Sequence, residues 1–504
     1  MQQVATLDSL IEGKPVTVKL GGTDILLLRQ GGAVRAFSAT CPHAGAPLDQ
    51  GAVCEGRLVC PWHKAMFDIT DGALLEPPAL QPLKRYPVQV EGNAVMVSPE
   101  PIPPALVDPA AAPDDRTMVI VGAGAAGAAG VAALREFGYR GRIVMVGAEP
   151  GEPFDRTALS KFVLEGGMQP DAVDPLLPPD FLADHAIERL HDTVTGIDPE
   201  ARTLTLAGGG TLSYSAVLLA PGGTPRPLKV SGADMPGVHV LRTRADAAAI
   251  LERLHAAARP VVIVGGGFIG LEAASALRQQ HVRVHVVMPK EVPFEPVLGR
   301  EIGLMLRGMH EANGVVFHSG TAVAAIEGDP EHGVQAVRLE NGQRLEAGLV
   351  LASVGIRPAT GFAASLGPDE DGGLRTDPGM RVRDGVYAAG DVASFPFDDA
   401  VGGAGHIRVE HWRVAQQHAR VAARNMLGGD ARFEQAPFFW TYHYGKRIEV
   451  HGHPDGFDHV AIEGDLEGQD FVARLSRDGM LVGLIGCGRD TELASLALAV
   501  PAHG

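Results

Sequence analysis

Apolar and polar residues alternate in short runs through the first hundred positions: VTVKL, DILLLR, AVRAFS, RLVC, YPVQV and AVMV. The turn pairs Gly21-Gly22, Gly31-Gly32 and Gly92-Asn93 punctuate them, so a period of two with hairpin signals predicts an all-β module over 1–97. Residues 98–115 carry six prolines, which favour an extended connector over a helix. Beyond it the pattern changes to wholly apolar runs followed by helical spacing. VIVGAGAAGAAGVAALR, from Val119, and VIVGGGFIGLEAASALR, from Val262, align without gaps at an offset of 143 residues. Each reads as a buried strand, a glycine-rich turn and a helix, the opening of a βαβ unit. The predicted architecture is multidomain: the β module, a first Rossmann-like α/β nucleotide-binding domain over 116–240 and 345–404, a second over 241–344, and a small α+β domain over 405–504. VEHWRVAQQHARVAARNML, residues 409–427, is predicted as a helix.

Composition narrows the function classes. A net charge of -17 over 504 residues argues against attraction to nucleic acid or anionic membrane, because like charges repel before specific contacts form. No apolar run reaches the roughly 18 to 20 residues that span a bilayer. The N-terminus, MQQVATLDSLIEGKP, has no basic stretch followed by an apolar core, and a cytoplasmic location is expected. Four cysteines in so long a chain do not make a disulfide framework, and three of them, Cys41, Cys54 and Cys60, cluster near two histidines, which favours metal chemistry.

In the first repeat Gly122, Gly124 and Gly127 would let the backbone approach a pyrophosphate at a helix N-terminus. Glu149, 22 residues beyond Gly127, stands where an acid binds ribose hydroxyls. Gly265, Gly267 and Gly270 repeat the turn, and Glu272 occupies the helix position held by Ala129 in the first copy. The position that would carry a ribose-binding acid in the second copy is Met288, and Lys290 follows, so NADH and NADPH both stay open.

Cys41-Pro-His43 and, after sixteen residues, Cys60-Pro-Trp-His63 form two pairs, each offering one sulfur and one nitrogen. Two cysteines and two histidines would also serve a tetrahedral zinc site, although zinc pairs usually segregate sulfur and nitrogen. Thiol exchange is not expected, since no cysteine lies in the first nucleotide unit. No Ser-His-Asp or metal-hydrolase motif stands out.

Two resemblances sharpen this reading. DGVYAAGDVA (384–393), GEPFDRTALSK (151–161), LLAPGGTPR (218–226) and VGIRPAT (354–360) resemble the flavin-dependent ferredoxin-reductase and apoptosis-inducing-factor family. That resemblance implies FAD in the first unit, held by Gly390-Asp391, Arg156 and Arg226, and a nicotinamide cofactor in the second, with Gly355 in its loop. It further implies a Lys161–Glu272 ion pair where hydride is transferred, and Trp412 beside the flavin ring. The CPH…CPWH pattern, with GAPLDQG and Phe67-Asp68, resembles the Rieske family, which implies a 2Fe-2S cluster held by Cys41, Cys60, His43 and His63. Lys64 stands where that family usually has glycine, and Ala65 and Phe67 lack the hydroxyls of its high-potential members.

The implied activity is an FAD-dependent NAD(P)H oxidoreductase passing electrons to the cluster and on to an oxygenase component, a cytochrome, a quinone or dioxygen, in a possible homodimer. A slow-turnover redox sensor is the alternative. Fusion is expected to raise the local concentration of the cluster module without a tight docking surface.

Overall fold

The computed structural model describes residues 1–103, 114–256, 259–399, 403–496 and 500, so positions 104–113 of the Pro-rich connector lie outside the described residues. The N-terminal module is built of small antiparallel sheets. Val16–Leu20, Thr23–Gln30, Ala33–Ser38 and Arg85–Tyr86 form one; Ala52–Cys54, Arg57–Val59, Met66–Asp68 and Leu74–Glu76 form another. Leu26, Leu28, Phe37, Leu48, Leu58 and Phe67 fill the space between them. Strand Thr23–Gln30 is buried on both faces, Leu26 and Leu28 toward this space and Ile25 and Leu27 toward a second cluster with Val95 and Val97.

Two parallel sheets follow. In the first the order is Ile187–His191, Arg142–Gly147, Thr117–Val121, Ala216–Leu219 and Val386–Ala388, parallel throughout, with Arg381–Arg383 antiparallel at the edge. The second is wholly parallel: Val238–His239, Leu349–Ala352, Val261–Val264, Val284–Met288 and Val315–Ser319. Two of its strands lie outside the range 241–344, so the expected unit boundaries fall short at both ends. The reason is physical: a buried strand reads as an apolar run whichever sheet it joins.

The C-terminal part is a five-stranded antiparallel sheet, ordered Phe438–His443, Lys446–Gly452, Met480–Cys487, Asp470–Arg477, His459–Asp465, with the helix Asp490–Leu496 after it. Helix Trp412–Met426, assigned by sequence to this part, packs instead on helix Ala125–Glu136 of the first nucleotide unit. Alanines 128, 129, 132 and 133 meet alanines 415, 419, 422 and 423, and small residues on both faces let the axes approach closely.

The opposite side of helix Trp412–Met426 grips the N-terminal module. Arg413, Gln416, Gln417 and Arg420 recur at i, i+3, i+4 and i+7, one helical face. Arg413 donates to the Pro77 carbonyl at 2.6 Å, Gln417 to Glu76 at 2.7 Å and Arg420 to the Leu74 carbonyl at 3.2 Å. Arg420 also pairs with Glu136 at 2.6 Å, tying both helices to the module. Fusion does not need a tight docking surface to raise the local concentration of the module, yet here the module is also seated on this face. Arg413→Ala is expected to cost about 2 kcal/mol of unfolding free energy by denaturant titration, since it strands the buried Pro77 carbonyl and removes the cation 3.7 Å from Glu76, which keeps its bond from Gln417.

Candidate active site

Each apolar strand of the repeat ends in a glycine turn whose geometry admits no side chain. Gly122 and Gly265 both have φ of +112°, and a Cβ on them would run into the Ala220 and Ser353 carbonyls. A Cβ on Gly127 or Gly270 would strike the carbonyl of Gly122 or Gly265. Gly124 and Gly267 differ: at the N-caps of their helices nothing lies within 4 Å of the Cβ position, so a ligand can approach the backbone N–H groups.

A cavity of about 1380 Å³ opens from the first turn. Its wall runs from Gly122 and Gly124 past Glu149, Arg156 and Lys161 to Gly390, Asp391, Trp412 and Trp440. Phe268, Ile269 and Glu272 reach it from the second unit, whereas Gly265, Gly267 and Gly270 do not line it. Arg226 and Gly355 also lie outside it; Arg226 N–H donates to the Gly355 carbonyl at 2.9 Å, and its guanidinium to Ile356 at 2.8 Å, beside a separate hollow. Short strands Gly223–Pro225 and Ile356–Pro358 pair there, which turns Arg226 away from the large cavity. Gly222, Gly223 and Thr224, just before it in the chain, line the wall instead.

Charge in the cavity is paired. Arg156 bonds Glu149 at 2.6 Å and the Arg242 carbonyl, while Arg242 meets Asp391 at 3.1 Å. Lys161 sits on a single π-helical turn, Leu159–Val163, a rare conformation frequent at functional sites. Its ammonium bonds Glu272 at 2.8 Å and the Thr157 carbonyl at 3.0 Å. The other donors to Glu272 are Ser160 at 2.6 Å, Thr441 at 2.9 Å and the Tyr442 N–H at 3.3 Å. Two distant parts of the chain, residues 160–161 and 441–442, thus orient one carboxylate. Trp412 places a buried indole N–H, without a protein partner, on the cavity wall, and this orphaned donor together with the open Gly124 backbone fits a large polar cofactor. Burial holds the neighbouring His411 imidazole neutral, at about 3.

The cluster loops follow one plan. In each, the cysteine N–H closes the loop on the carbonyl five residues on, Cys41 to Ala46 at 2.9 Å and Cys60 to Ala65 at 2.8 Å. The fifth loop residue is left-handed in both: Gly45 at φ +73°, but Lys64 at φ +57°. A non-glycine residue there costs about 1 to 2 kcal/mol. His43 and His63 turn their Nδ1 atoms to within 3.1 Å of each other, and burial lowers the proton affinity of both rings, leaving lone pairs free for metal. The thiols of Cys41 and Cys60 face each other; interaction with Cys60, then burial, drives Cys41 upward. Burial also works upward on Cys60, but Cys41 and the N–H groups of His63 and Trp62 outweigh it, holding that thiol at about 7. Among the described residues no three His, Cys, Asp or Glu side chains converge on a single ion. A facing sulfur pair and a facing nitrogen pair fit a binuclear cluster, in which each pair serves one iron. Cys54 stands aside, half-buried and unpaired.

Both loops abut the C-terminal sheet. Trp440 lies 4.3 Å from the His63 ring and 6.3 Å from the His43 ring, while its own side chain lines the cavity. Lys64 reaches Glu449 at 2.7 Å, with both side chains 1% exposed. Burial works to raise the Glu449 carboxyl, but Lys64, His451 and Arg447 together hold it down at about 2, against an ordinary 4.5. A depressed value adds stability, about 3 kcal/mol, that is complete above pH 4.5 and lost as pH falls toward 2. Glu449→Gln is therefore expected to be less stable than the parent at pH 7, the gap narrowing below pH 4.5 and closing only toward pH 2, in parallel denaturant titrations. Sequence offered no signal for Glu449, Arg242 or Thr441; the one trace was lysine at a glycine position in the second loop.

Comparison with known proteins decides the family. The model described as pyridine nucleotide-disulphide oxidoreductase matches residues 116–419, three-fifths of the chain. The chain belongs to the pyridine nucleotide-disulphide oxidoreductases. Ahead of that match, residues 1–87 match the Rieske [2Fe-2S] domain. Apoptosis-inducing factor 3 of Mus musculus is 34% identical over 98% of this chain and 83% of its own length. The ferredoxin–NAD(+) reductase component of a biphenyl dioxygenase system from Paraburkholderia xenovorans is 34% identical over 72% of this chain and 88% of its own. Among solved structures, a ferredoxin reductase from Rhodopseudomonas palustris superposes with TM-score 0.71 at 31% identity, covering 77% of this chain and 96% of that one. A covalent putidaredoxin reductase–putidaredoxin complex does so with TM-score 0.70 at 29% identity, covering 76% and 93%. This oxidoreductase is thus a Rieske protein joined to an FAD- and NAD(P)H-dependent reductase. Unlike disulphide-reducing members, it has no cysteine on its cavity wall, and its four cysteines are free. No described helix is long and apolar enough to cross a membrane.

Proposed function

We propose that the protein oxidises NAD(P)H and delivers the electrons one at a time, through its own Rieske domain, to an external one-electron acceptor. The observation that carries this reading is Trp440: one aromatic residue lines the large cavity and sets its ring, tilted by 37°, with its centre 4.3 Å from that of His63. FAD in the cavity supplies the conversion between a hydride and single electrons, which one 2Fe-2S cluster cannot make. The chain's own residues do the rest. Gly124 offers backbone N–H groups at a helix N-terminus to the pyrophosphate, Arg156 and Arg242 bring positive charge beside it, and Asp391 and the Trp412 indole hold polar edges of the cofactor. Lys161, oriented by Glu272, sets a fixed positive charge where negative charge develops on hydride transfer, in a site that excludes most water.

One reductase relative is a component of a biphenyl dioxygenase system, and putidaredoxin reductase is seen in a complex with a separate putidaredoxin. In the present chain the N-terminal domain serves in that place, so the external partner receives electrons from the cluster. An oxygenase component or a cytochrome fits this role. Anaerobic titration with NADH and with NADPH, followed optically and by electron paramagnetic resonance, tests the reading. Bleaching of a flavin band together with a Rieske signal, in protein holding two irons per chain, is expected. Zinc without iron, or protein without flavin, overturns it.

A further inference from the structure

At its left-handed position the second cluster loop departs from the first, and the departure has a partner. Gly45 takes the left-handed position of the first loop at no steric cost; Lys64 takes it in the second, with its side chain wholly buried. The ammonium donates to the Pro61 carbonyl of its own loop and meets Glu449 of the C-terminal sheet at 2.7 Å. Glu449 is held in turn by Arg447 at 2.9 Å, which continues to Asp490 at 2.6 Å and lies over the Trp62 ring, 5.8 Å from its centre. Around this polar centre Ala494 packs on Ala52, Val59 and Met66, and Thr491 donates to the Gln50 carbonyl at 2.8 Å. Nothing inside the N-terminal domain requires a cation at residue 64. Among the described residues the carboxylate that pairs with it is across the domain boundary, on the strand antiparallel to the one that carries Trp440.

We propose that Lys64 is a positioning residue, a pin that locks the second cluster loop onto the C-terminal sheet and so holds His63 against Trp440. Trp440 and Glu449 are directly paired in the two strands, so a cation anchored on Glu449 fixes the register between the His63 loop and Trp440. The pin replaces the search of a tethered domain for its docking site by one seated pose. The inference rests on the proposed electron route for its consequence, but the locking of the second loop is read from the ion pair, in addition to the contacts that helix Trp412–Met426 makes with the module.

The test uses the full-length holoprotein with Glu449→Gln, which lies outside the cluster loops, as the principal variant, and Lys64→Gly, which relieves the left-handed backbone, as the second. Iron content and the resonance spectrum report the cluster, and stopped flow separates hydride uptake from cluster reduction. The flavin-free protein is compared by small-angle scattering and by proteolysis in the 98–115 connector. Both variants are expected to keep hydride uptake within about twofold and to slow cluster reduction on the order of tenfold or more, as for a reacting pair displaced by about 1 Å. They are also expected to cut faster in the connector, with Lys64→Arg restoring much of both properties. If Glu449→Gln matches the parent in cluster reduction and connector cleavage, the pin is overturned. Should Lys64→Gly lose its cluster, Glu449→Gln decides the matter. A parent protein without iron or flavin would sink the electron route, while scattering and cleavage would still judge the pin.

Discussion

Lys161→Met is expected to lower the rate of flavin reduction by NAD(P)H on the order of 100-fold, with little change in the amount of flavin bound. The ammonium is the one cation on the buried Glu272 carboxylate, at 2.8 Å, and both side chains are less than a tenth exposed. A fixed charge in such a site costs no reorganisation when negative charge develops, and loss of one such group commonly costs two to three powers of ten. Breaking the pair also carries a stability penalty of about 3 kcal/mol, because Glu272 is left charged and buried. Ser160, Thr441 and the Tyr442 N–H remain on the carboxylate, which limits that loss. Glu272→Gln separates the two effects. It keeps the hydrogen-bonding shape but frees Lys161, so its effect on flavin reduction is expected to be smaller than that of Lys161→Met. The double variant should be no slower than Lys161→Met alone if the residues act as a unit. Equal and additive losses would show instead that they act separately.

The fold was legible where local pattern and covalent chemistry carried it. Alternation marked the β module, the two glycine turns marked both nucleotide units, and CPH…CPWH marked the loops that bring His43 to His63. What escaped was decided by partners far apart in sequence. Strand Leu349–Ala352 joins the second sheet because of what lies beside Val261–Val264, and no local signal distinguishes it from a strand of the first. Helix Trp412–Met426 has two polar-to-apolar faces, and only the structure shows that one serves Ala125–Glu136 and the other Leu74–Pro78. Arg226 reads as a cofactor cation by sequence, yet a two-strand pairing with Ile356–Pro358 turns it elsewhere. Lys64 is the instructive case. A lysine in a glycine position looks like a defect of the loop until Glu449, 385 residues later, is placed against it.

Trp440→Leu should divide the reaction at the boundary between the two cofactor sites. Leucine preserves apolar bulk beside Phe438 but removes the ring that lies 4.3 Å from His63 and 6.3 Å from His43. The Lys161–Glu272 pair and the cluster loops are untouched, so hydride uptake, iron content and the resonance spectrum are expected to match the parent. Cluster reduction is expected to fall on the order of tenfold, equivalent to about 1.4 kcal/mol of barrier. Trp440→Phe, which keeps an aromatic face, should recover most of that rate. Trp412→Phe provides the contrast: Trp412 lines the same cavity, but its buried N–H is without a protein partner, so its loss should weaken flavin retention and leave the electron step in flavin-loaded molecules within about twofold. If Trp440→Leu reduces its cluster as fast as the parent, the shared aromatic wall is a packing contact, and the electron route must cross the domain boundary elsewhere.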